Sequence, residues 1–311
     1  MVIPTVNFLS YNSTGLDSIK ADFIRNLYNV TKCDFISIQE HFKKTKSIDK
    51  FFKNSFPDQI SYIIPGFREK DQDSGRPKGG IAQLRNKNMD IKVDRIETKN
   101  FRIQAQILHF QTTRLLWINT YFPTDPGSVK FDDNELLELL IEIEDIMDRS
   151  HFDDVLWNGD LNYNKSRNTS FVVTLSRFLT RVGLVSVWDH YPVDYTHINT
   201  DFISTSTLDH FVVNGRLIDL ITDCGTLHLG DNPSRHSPIV LKLNLAAIPM
   251  KTEVKQTFTR KPAWYKATEQ DTMKYTMELH SRLFALEQPT YLNCSNTLYE
   301  SSLHSAMFLI F

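Results

Sequence analysis

What most limits how this chain can fold is an alternation of short apolar runs with turn residues up to about Leu245. All 11 glycines lie between Gly15 and Gly230, and none follows. Runs of about four to ten residues bounded in this way read as strands. They are Val2–Tyr11, Asp34–Gln39, Gly80–Leu84, Arg102–Phe110, Leu115–Tyr121, Val155–Asn158, Leu208–Val213 and Ile239–Leu243. In Arg102–His109 the first half alternates polar and apolar residues, the period of a half-exposed strand. Helical spacing is confined to a few stretches. The clearest, Asp132–Arg149, opens with acidic residues and repeats leucine and isoleucine at helical intervals. Leu16–Tyr28 and Phe171–Arg181 read as two more. Many short strands with few helices predict an α/β fold, with antiparallel sheets packed face to face and helices outside.

The 311 residues, 41% hydrophobic and 23% charged, are enough for a sizeable core and exclude wholesale disorder or a fibrous repeat. Net charge is −2 and the pI about 6.6, so contact with nucleic acid has to come from a local patch. Cys33, Cys224 and Cys294 are too far apart in sequence for a zinc pair or a disulfide framework, as suits a reducing compartment. The apolar start, Met1–Tyr11, lacks the basic segment of a secretion signal, and no apolar run approaches a membrane span. The expected location is nuclear or cytoplasmic, with no membrane partner. Lys251–Lys266 carries five basic residues against one acidic. The expected organisation is a catalytic domain over 1–246, a basic linker over 247–266, and a helical or partly disordered connector over 267–311. That connector holds a helix-patterned stretch at Thr268–Leu286.

Several apolar strands run straight into a residue that can do chemistry. Val6–Tyr11 leads to Asn12, Phe35–Ile38 to Gln39-Glu40, and Leu115–Thr120 to Tyr121. Val155–Trp157 leads to Asn158-Gly159-Asp160-Leu161-Asn162. Leu208 precedes Asp209, and Ser234-Arg235-His236-Ser237-Pro238 precedes the last strand. Each has an ordinary reading in isolation: Glu40 as a solvated turn residue, Asn158-Gly159 as a turn served by Asp160, Tyr121 as a core-edge tyrosine. Strand ends at one rim of a packed sheet, however, converge on one cleft. Two carboxylates, two amides, a tyrosine, an Asp and a His are together the components of metal-assisted phosphodiester hydrolysis.

Eight motifs in order carry a resemblance. They are Ser10-Tyr11-Asn12, Ile38-Gln39-Glu40, Gly75-Arg76-Pro77-Lys78-Gly79-Gly80, Asn119-Thr120-Tyr121-Phe122-Pro123, Trp157 to Asn162, Tyr195-Thr196, Leu208-Asp209-His210 and Ser234 to Pro238. Over roughly 1–245 the chain resembles the endonuclease/exonuclease/phosphatase superfamily, which includes DNase I and the apurinic/apyrimidinic endonucleases. Within it, the chain looks most like the endonuclease domain of non-LTR retrotransposons. The Gly75–Gly80 stretch and the Thr196-to-Asp209 spacing favour that branch, and Lys261-Pro262-Ala263-Trp264 resembles its connector to a reverse transcriptase.

The resemblance implies a four-layered, DNase I-like α/β sandwich with mainly antiparallel sheets. Its active site would hold Mg²⁺ or Mn²⁺ on Glu40, helped by Asn12. It implies that Asp160 activates water, that Asn162 holds the water or a phosphate oxygen, and that His236, oriented by Asp209, stabilises charge on the phosphate. Tyr121 would bond the phosphate, with Thr196, Ser234, Arg235, Arg76 and Lys78 on the substrate side. Hard oxygen donors of this kind suit those ions and not zinc. The expected activity is a metal-dependent DNA endonuclease that nicks one strand and leaves a 3′-hydroxyl. Its partner would be DNA, and the isolated domain would be monomeric, a fragment or truncated product of a polyprotein with a reverse transcriptase. One departure stands out, because the family usually carries Asp where this chain has Arg235. A phosphatase or phosphodiesterase of the same superfamily acting on a small phosphoester, and a catalytically impaired nucleic-acid-binding relic, are the competing readings.

Overall fold

The strand Val6–Asn12 (β1) is buried on both faces along almost its whole length, as a strand must be when helices cover its sheet on one side and a second sheet on the other. The computed structural model describes residues 5–44, 47–67, 77–125, 127, 134–200, 203–247 and 268–285. After β1 come α1 (Ser18–Thr31), β2 (Phe35–Gln39), α2 (Ile48–Ser55), β3 (Gln59–Ile64), β4 (Ile81–Asn86) and β5 (Lys92–Ile96). Next are β6 (Ile103–His109), β7 (Arg114–Tyr121), α3 (Asn134–Arg149), β8 (Asp154–Asp160) and α4 (Ser170–Arg181). They are followed by β9 (Leu184–Ser186), β10 (His197–Ile198), β11 (Thr205–Ser206), β12 (Asp209–Asn214), α5 (Gly215–Ile218), β13 (Ile221–Thr226) and β14 (Ile239–Leu243). The chain divides into two units, Met1–Thr252 and Glu253–Phe311.

Two six-stranded sheets form the first unit, in the orders β13-β14-β1-β2-β4-β3 and β5-β6-β7-β8-β12-β9. Both are mainly antiparallel. Each has one parallel pair in its interior, β1 with β2 and β7 with β8, joined by crossovers that contain α1 and α3. Three apolar layers make the result a four-layered α/β sandwich. Leu9, Tyr11, Ile36 and Ile38 pack under α1 and α2. Ile118, Val155 and Trp157 pack under α3 and α4. Phe8, Phe35, Trp117, Leu156 and Phe211 fill the space between the sheets, with Phe8 stacked on Phe35 at 4.8 Å and Trp117 edge-on to both.

The inner layer changes character along the strands, and this places the site. On β1 the inward positions run Val6, Phe8, Ser10, Asn12, and on β2 they run Phe35, Ser37, Gln39. On β7 they run Leu115, Trp117, Asn119, and on β8 Leu156, Asn158, Asp160. Each series starts apolar and ends polar, with period two. The polar ends are buried, so they bond one another across the sheets. Asn158 donates to Ser10 Oγ at 3.1 Å, Ser37 to Asn158 Oδ1 at 3.2 Å, and Gln39 to Asn119 Oδ1 at 2.7 Å. Trp117 Nε1 also donates to Asn158 Oδ1, at 2.8 Å.

Several sequence expectations are corrected here. Asn158-Gly159-Asp160 is not a turn: it continues β8 and pairs with β7 on one side and β12 on the other. The edge strands β3, β5, β9 and β13, and helix α2, were missed. Burial of β3, β5 and β13 is partial, so the apolar signal in the sequence is diluted, and β9 has only 3 residues. In the second unit α6 (Glu269–Ala285) opens with a reciprocal cap. The Asp271 amide donates to Thr268 Oγ1 at 3.2 Å and the Thr268 amide to Asp271 Oδ2 at 2.9 Å. Arg76, Lys261-Pro262-Ala263-Trp264, and the expected linker and connector beyond 247 apart from α6 lie outside the described residues. Among the described residues, no helix is long and apolar enough to cross a membrane.

Candidate active site

The polar ends of β1, β2, β7 and β8 open into a cleft of about 270 Å³, lined by Asn12, Glu40, Tyr121, Asp160, Asn162 and His236 among others. Asp160, at the end of β8, is buried and held from two directions. Asn12 Nδ2 donates to its Oδ2 at 2.8 Å, and the Asn162 amide donates to its Oδ1 at 3.0 Å. The second bond requires the chain to turn sharply, and Asn162 sits at φ 49° to allow it. Burial, then the charge of Asp209 and beyond it Glu40, push the Asp160 carboxyl up to about 7 against the opposing pull of His236.

His236 Nδ1 donates to Asp209 Oδ2 at 2.8 Å, and its Nε2 lies 4.0 Å from Asp160 Oδ2. Burial works against charge on this ring. Asp209, by charge and hydrogen bond, then Asp160 and Glu40, overcome it and raise His236 to about 9. It is therefore an imidazolium at neutral pH. Asp209 is itself fixed through its backbone: its amide donates to Thr196 Oγ1 at 3.0 Å, and Trp188 Nε1 donates to its carbonyl at 2.9 Å. Thr196, expected on the substrate side, has a fully buried side chain whose hydroxyl also accepts from the Leu208 amide at 2.9 Å, and so it braces Asp209.

Glu40 follows β2 in the left-handed region at φ 54°. Gly79 and Gly80 hold this turn: the His41 and Phe42 amides donate to the carbonyls of Gly80 and Gly79 at 3.1 and 3.0 Å. A side chain at Gly80 would come within 2.5 Å of the His41 ring, so the glycine is required there. The Tyr121 hydroxyl faces the same cleft as the Glu40 carboxylate. Burial and the Glu40 charge raise its pKa well above the ordinary tyrosine value, so it stays a phenol.

The remaining sequence candidates fall around this centre. Asn12, expected as a metal ligand, turns its amide nitrogen to Asp160 and its oxygen to the Thr14 amide at 2.9 Å, an arrangement that positions Asp160. Asn162 lines the cleft while its amide donates to the Phe122 carbonyl at 2.9 Å. Ser234 donates to the Asn12 carbonyl at 2.8 Å and so ties the His236 loop to β1. Arg235 is exposed beside His197, and Lys78 is exposed on the bridge to Phe67. Sequence reasoning missed His197, whose ring packs 4.5 Å from His236. It also missed Arg167, Asp125 and Asn199 on the cleft wall. None of these ends an apolar run, so no sequence signal marked them.

Three carboxylates, Glu40, Asp160 and Asp209, share this region with the single imidazolium of His236, and buried Asp209 Oδ1 has no hydrogen-bond partner. An excess of hard anionic oxygens around an orphaned oxygen fits a divalent cation. Oxygen or nitrogen atoms of Asp160, Asp209 and His236 lie within 4.8 Å of one another.

No family model and no curated protein matches the chain. Solved structures do. The AP endonuclease LMAP from Leishmania major has 17% identity and a TM-score of 0.62 over 78% of this chain and 88% of that one. The endonuclease domain of TRAS1, a telomere-specific non-LTR retrotransposon, has 17% identity and a TM-score of 0.57 over 78% and 99%. The 3′ phosphatase NExo from Neisseria, bound to product DNA hairpin, has 14% and 0.58 over 76% and 99%. The chain thus has the DNase I-like fold of these nucleases and phosphatases. Within that fold its likeness extends both to AP endonucleases and to a retrotransposon endonuclease domain.

Proposed function

We propose that the chain is a divalent-metal-dependent DNA endonuclease of the retrotransposon type, which nicks one strand and leaves a 3′-hydroxyl. The observation that carries this reading is the meeting of Asp160 with the Asp209–His236 pair and the Glu40–Tyr121 pair in one cleft. Glu40, with the unpartnered oxygen of Asp209, would hold the ion, and their hardness favours Mg²⁺ or Mn²⁺. When bound, such an ion supplies Lewis-acid neutralisation of the phosphate charge.

The protein's own groups do the rest. Asp160 takes a proton from the attacking water, its carboxylate aimed by Asn12 and Asn162. Water oxygen bonds to phosphorus as the bond to the 3′-oxygen breaks, and the departing oxygen takes up a proton to become the hydroxyl. The His236 imidazolium holds the charge that grows on the non-bridging oxygens, and Asp209 keeps its ring oriented. Tyr121, held as a phenol, donates to a phosphate oxygen.

The test is a supercoiled-plasmid nicking assay on the full chain with Mg²⁺, with Mn²⁺ and in EDTA. A small phosphomonoester and a 3′-phosphorylated oligonucleotide run in parallel. Nicked circles that a polymerase can extend, lost in EDTA and in both Glu40→Ala and Asp160→Ala, are expected. Turnover of the small ester alone would favour the phosphatase reading. DNA binding in EDTA without nicking under any metal would favour the impaired relic.

A further inference from the structure

On the side of the sandwich where β3 and β5 are the open edges, strands from both sheets enclose a second recess of about 140 Å³. That is several times the ~30 Å³ share of one liquid water. Arg85 reaches it from β4 in one sheet and Arg95 from β5 in the other. Of the nine other arginines whose side chains are described, seven face a carboxylate within 4.0 Å. Among the described residues these two do not, although the fold brings them together. Glu97 acts on Tyr62 through its charge but pairs with neither. We propose that this recess is a binding site for a phosphate-type oxyanion, separate from the catalytic cleft.

The groups around it are set for that task. The Arg95 guanidinium sits over the Tyr62 ring, 4.8 Å from its centre, and donates weakly to the Ser61 carbonyl at 3.5 Å. Arg85 donates to the Met89 carbonyl at 3.2 Å. Each guanidinium carries five N–H donors, so most of that capacity remains for a ligand. The floor is made by Gln83 and Gln106, both more than nine-tenths buried. Gln106 donates to Gln83 Oε1 at 2.8 Å and Gln83 to the Trp117 carbonyl at 3.1 Å, which fixes both amides. Gln106 keeps a second amide hydrogen to offer. Burial and the neighbouring charge of Arg95 both hold the Arg85 pKa below its usual value. An oxyanion between the two guanidinium groups removes that repulsion, and planar forks suit its oxygens bidentately. This site stands whether or not the cleft cuts DNA.

Nitrogen-15 NMR of the arginine Nε–Hε signals tests it directly, with Arg85 and Arg95 assigned from Arg85→Gln and Arg95→Gln. Inorganic phosphate should move both signals saturably at constant ionic strength, and chloride should not. Each substitution should weaken the phosphate response by about tenfold, the worth of one charged hydrogen bond. Asp160→Asn should leave it unchanged, which separates this recess from the cleft. Should Arg85→Gln fail to fold, the solvent-exposed Arg95→Gln carries the same comparison. A short DNA duplex that moves the same two signals identifies the oxyanion as a backbone phosphate, whereas a response to free phosphate alone identifies a small ligand. Signals that stay still in phosphate, or that follow chloride equally, overturn the site.

Discussion

Asn12 on β1 donates to Asp160 Oδ2 on β8 at 2.8 Å, a bond between strands of different sheets whose residues are 148 positions apart. The proposed base is therefore positioned by the packing of one sheet on the other. Any change that slides the sheets changes its aim. Ser10, Gln39, Asn119 and Asn158 form the buried polar layer just beneath that bond. A displaced amide there would lose partners that water cannot replace.

The first prediction follows from this bond. Asn12→Ala removes a donor to a buried carboxylate, a loss worth about 2 kcal/mol and so about 30-fold in rate. It also removes a bond that favours the ionised form, so the Asp160 pKa should rise further. Nicking by the variant should fall most near neutral pH and recover toward higher pH. A wild-type pH profile at reduced rate would show that Asn12 acts elsewhere.

Gly159 gives a second. It lies in β8 at φ 141°, and a Cβ there would fall 2.0 Å from the Thr120 carbonyl oxygen on β7. The obstacle is backbone in a central parallel pair, so it cannot step aside. Gly159→Ala should destabilise the first unit by about 3 kcal/mol or more and move Asp160 out of line. Urea unfolding measures this, and a midpoint equal to wild type would contradict it.

Period two explains why so much of the fold and site was legible. On β1, β2, β7 and β8 the apolar run that marks the strand ends in the residue that enters the cleft, so the strand reading found Asn12, Tyr121 and Asp160. The edge strands were not legible because solvent accepts polar residues on one of their faces. Asn158-Gly159 read as a turn because glycine with asparagine is the usual turn chemistry. Here the glycine instead answers a close backbone approach from Thr120. His197 and Arg167 reach the cleft from loops, and no local pattern records which loops the fold brings together. The bracing roles of Thr196 and Gly80 depend on partners 13 and 39 positions away.

Acid should destabilise the protein through two buried neutral histidines. His210 Nε2 donates to the Tyr163 carbonyl at 2.7 Å while its Nδ1 accepts from Ser186. His41 Nε2 donates to the Ile64 carbonyl at 3.0 Å while its Nδ1 accepts from the Lys43 amide. Burial first of all lowers both to about 4. Below pH 6.5 the unfolded chain binds protons that the folded one refuses. Stability therefore falls from pH 6.5 down to about 4, by on the order of 3 kcal/mol for each histidine. Urea unfolding between pH 7 and 5 should show the decline, offset in part by Asp160, whose carboxyl the fold raises to about 7 so that it binds its proton more readily folded than unfolded. His210→Gln should make the decline shallower.

The division of the chain is a fourth matter of measurement. We expect residues 1–250 to unfold cooperatively, with a calorimetric Tm within about 2 °C of the full chain. Both sheets and all three apolar layers lie inside Met1–Thr252. A drop of 10 °C on truncation would place part of the stabilising core beyond residue 250.

Arg235 carries the last prediction. It is exposed between Ser234, which bonds β1, and His236, and its charge helps lower the pKa of His197. The cleft it borders has an excess of carboxylates suited to a divalent ion, so a cation at this position opposes the ion's approach. Arg235→Asp replaces that repulsion with a hard oxygen donor. It should raise the nicking rate and lower the Mg²⁺ concentration that gives half the maximal rate. In EDTA the same change should weaken binding to duplex DNA and reduce the salt slope by about one unit, because one phosphate-neutralising charge is gone. Slower nicking at every Mg²⁺ concentration would instead show that the guanidinium grips the phosphate during the reaction, and Arg235 would then belong to the catalytic centre.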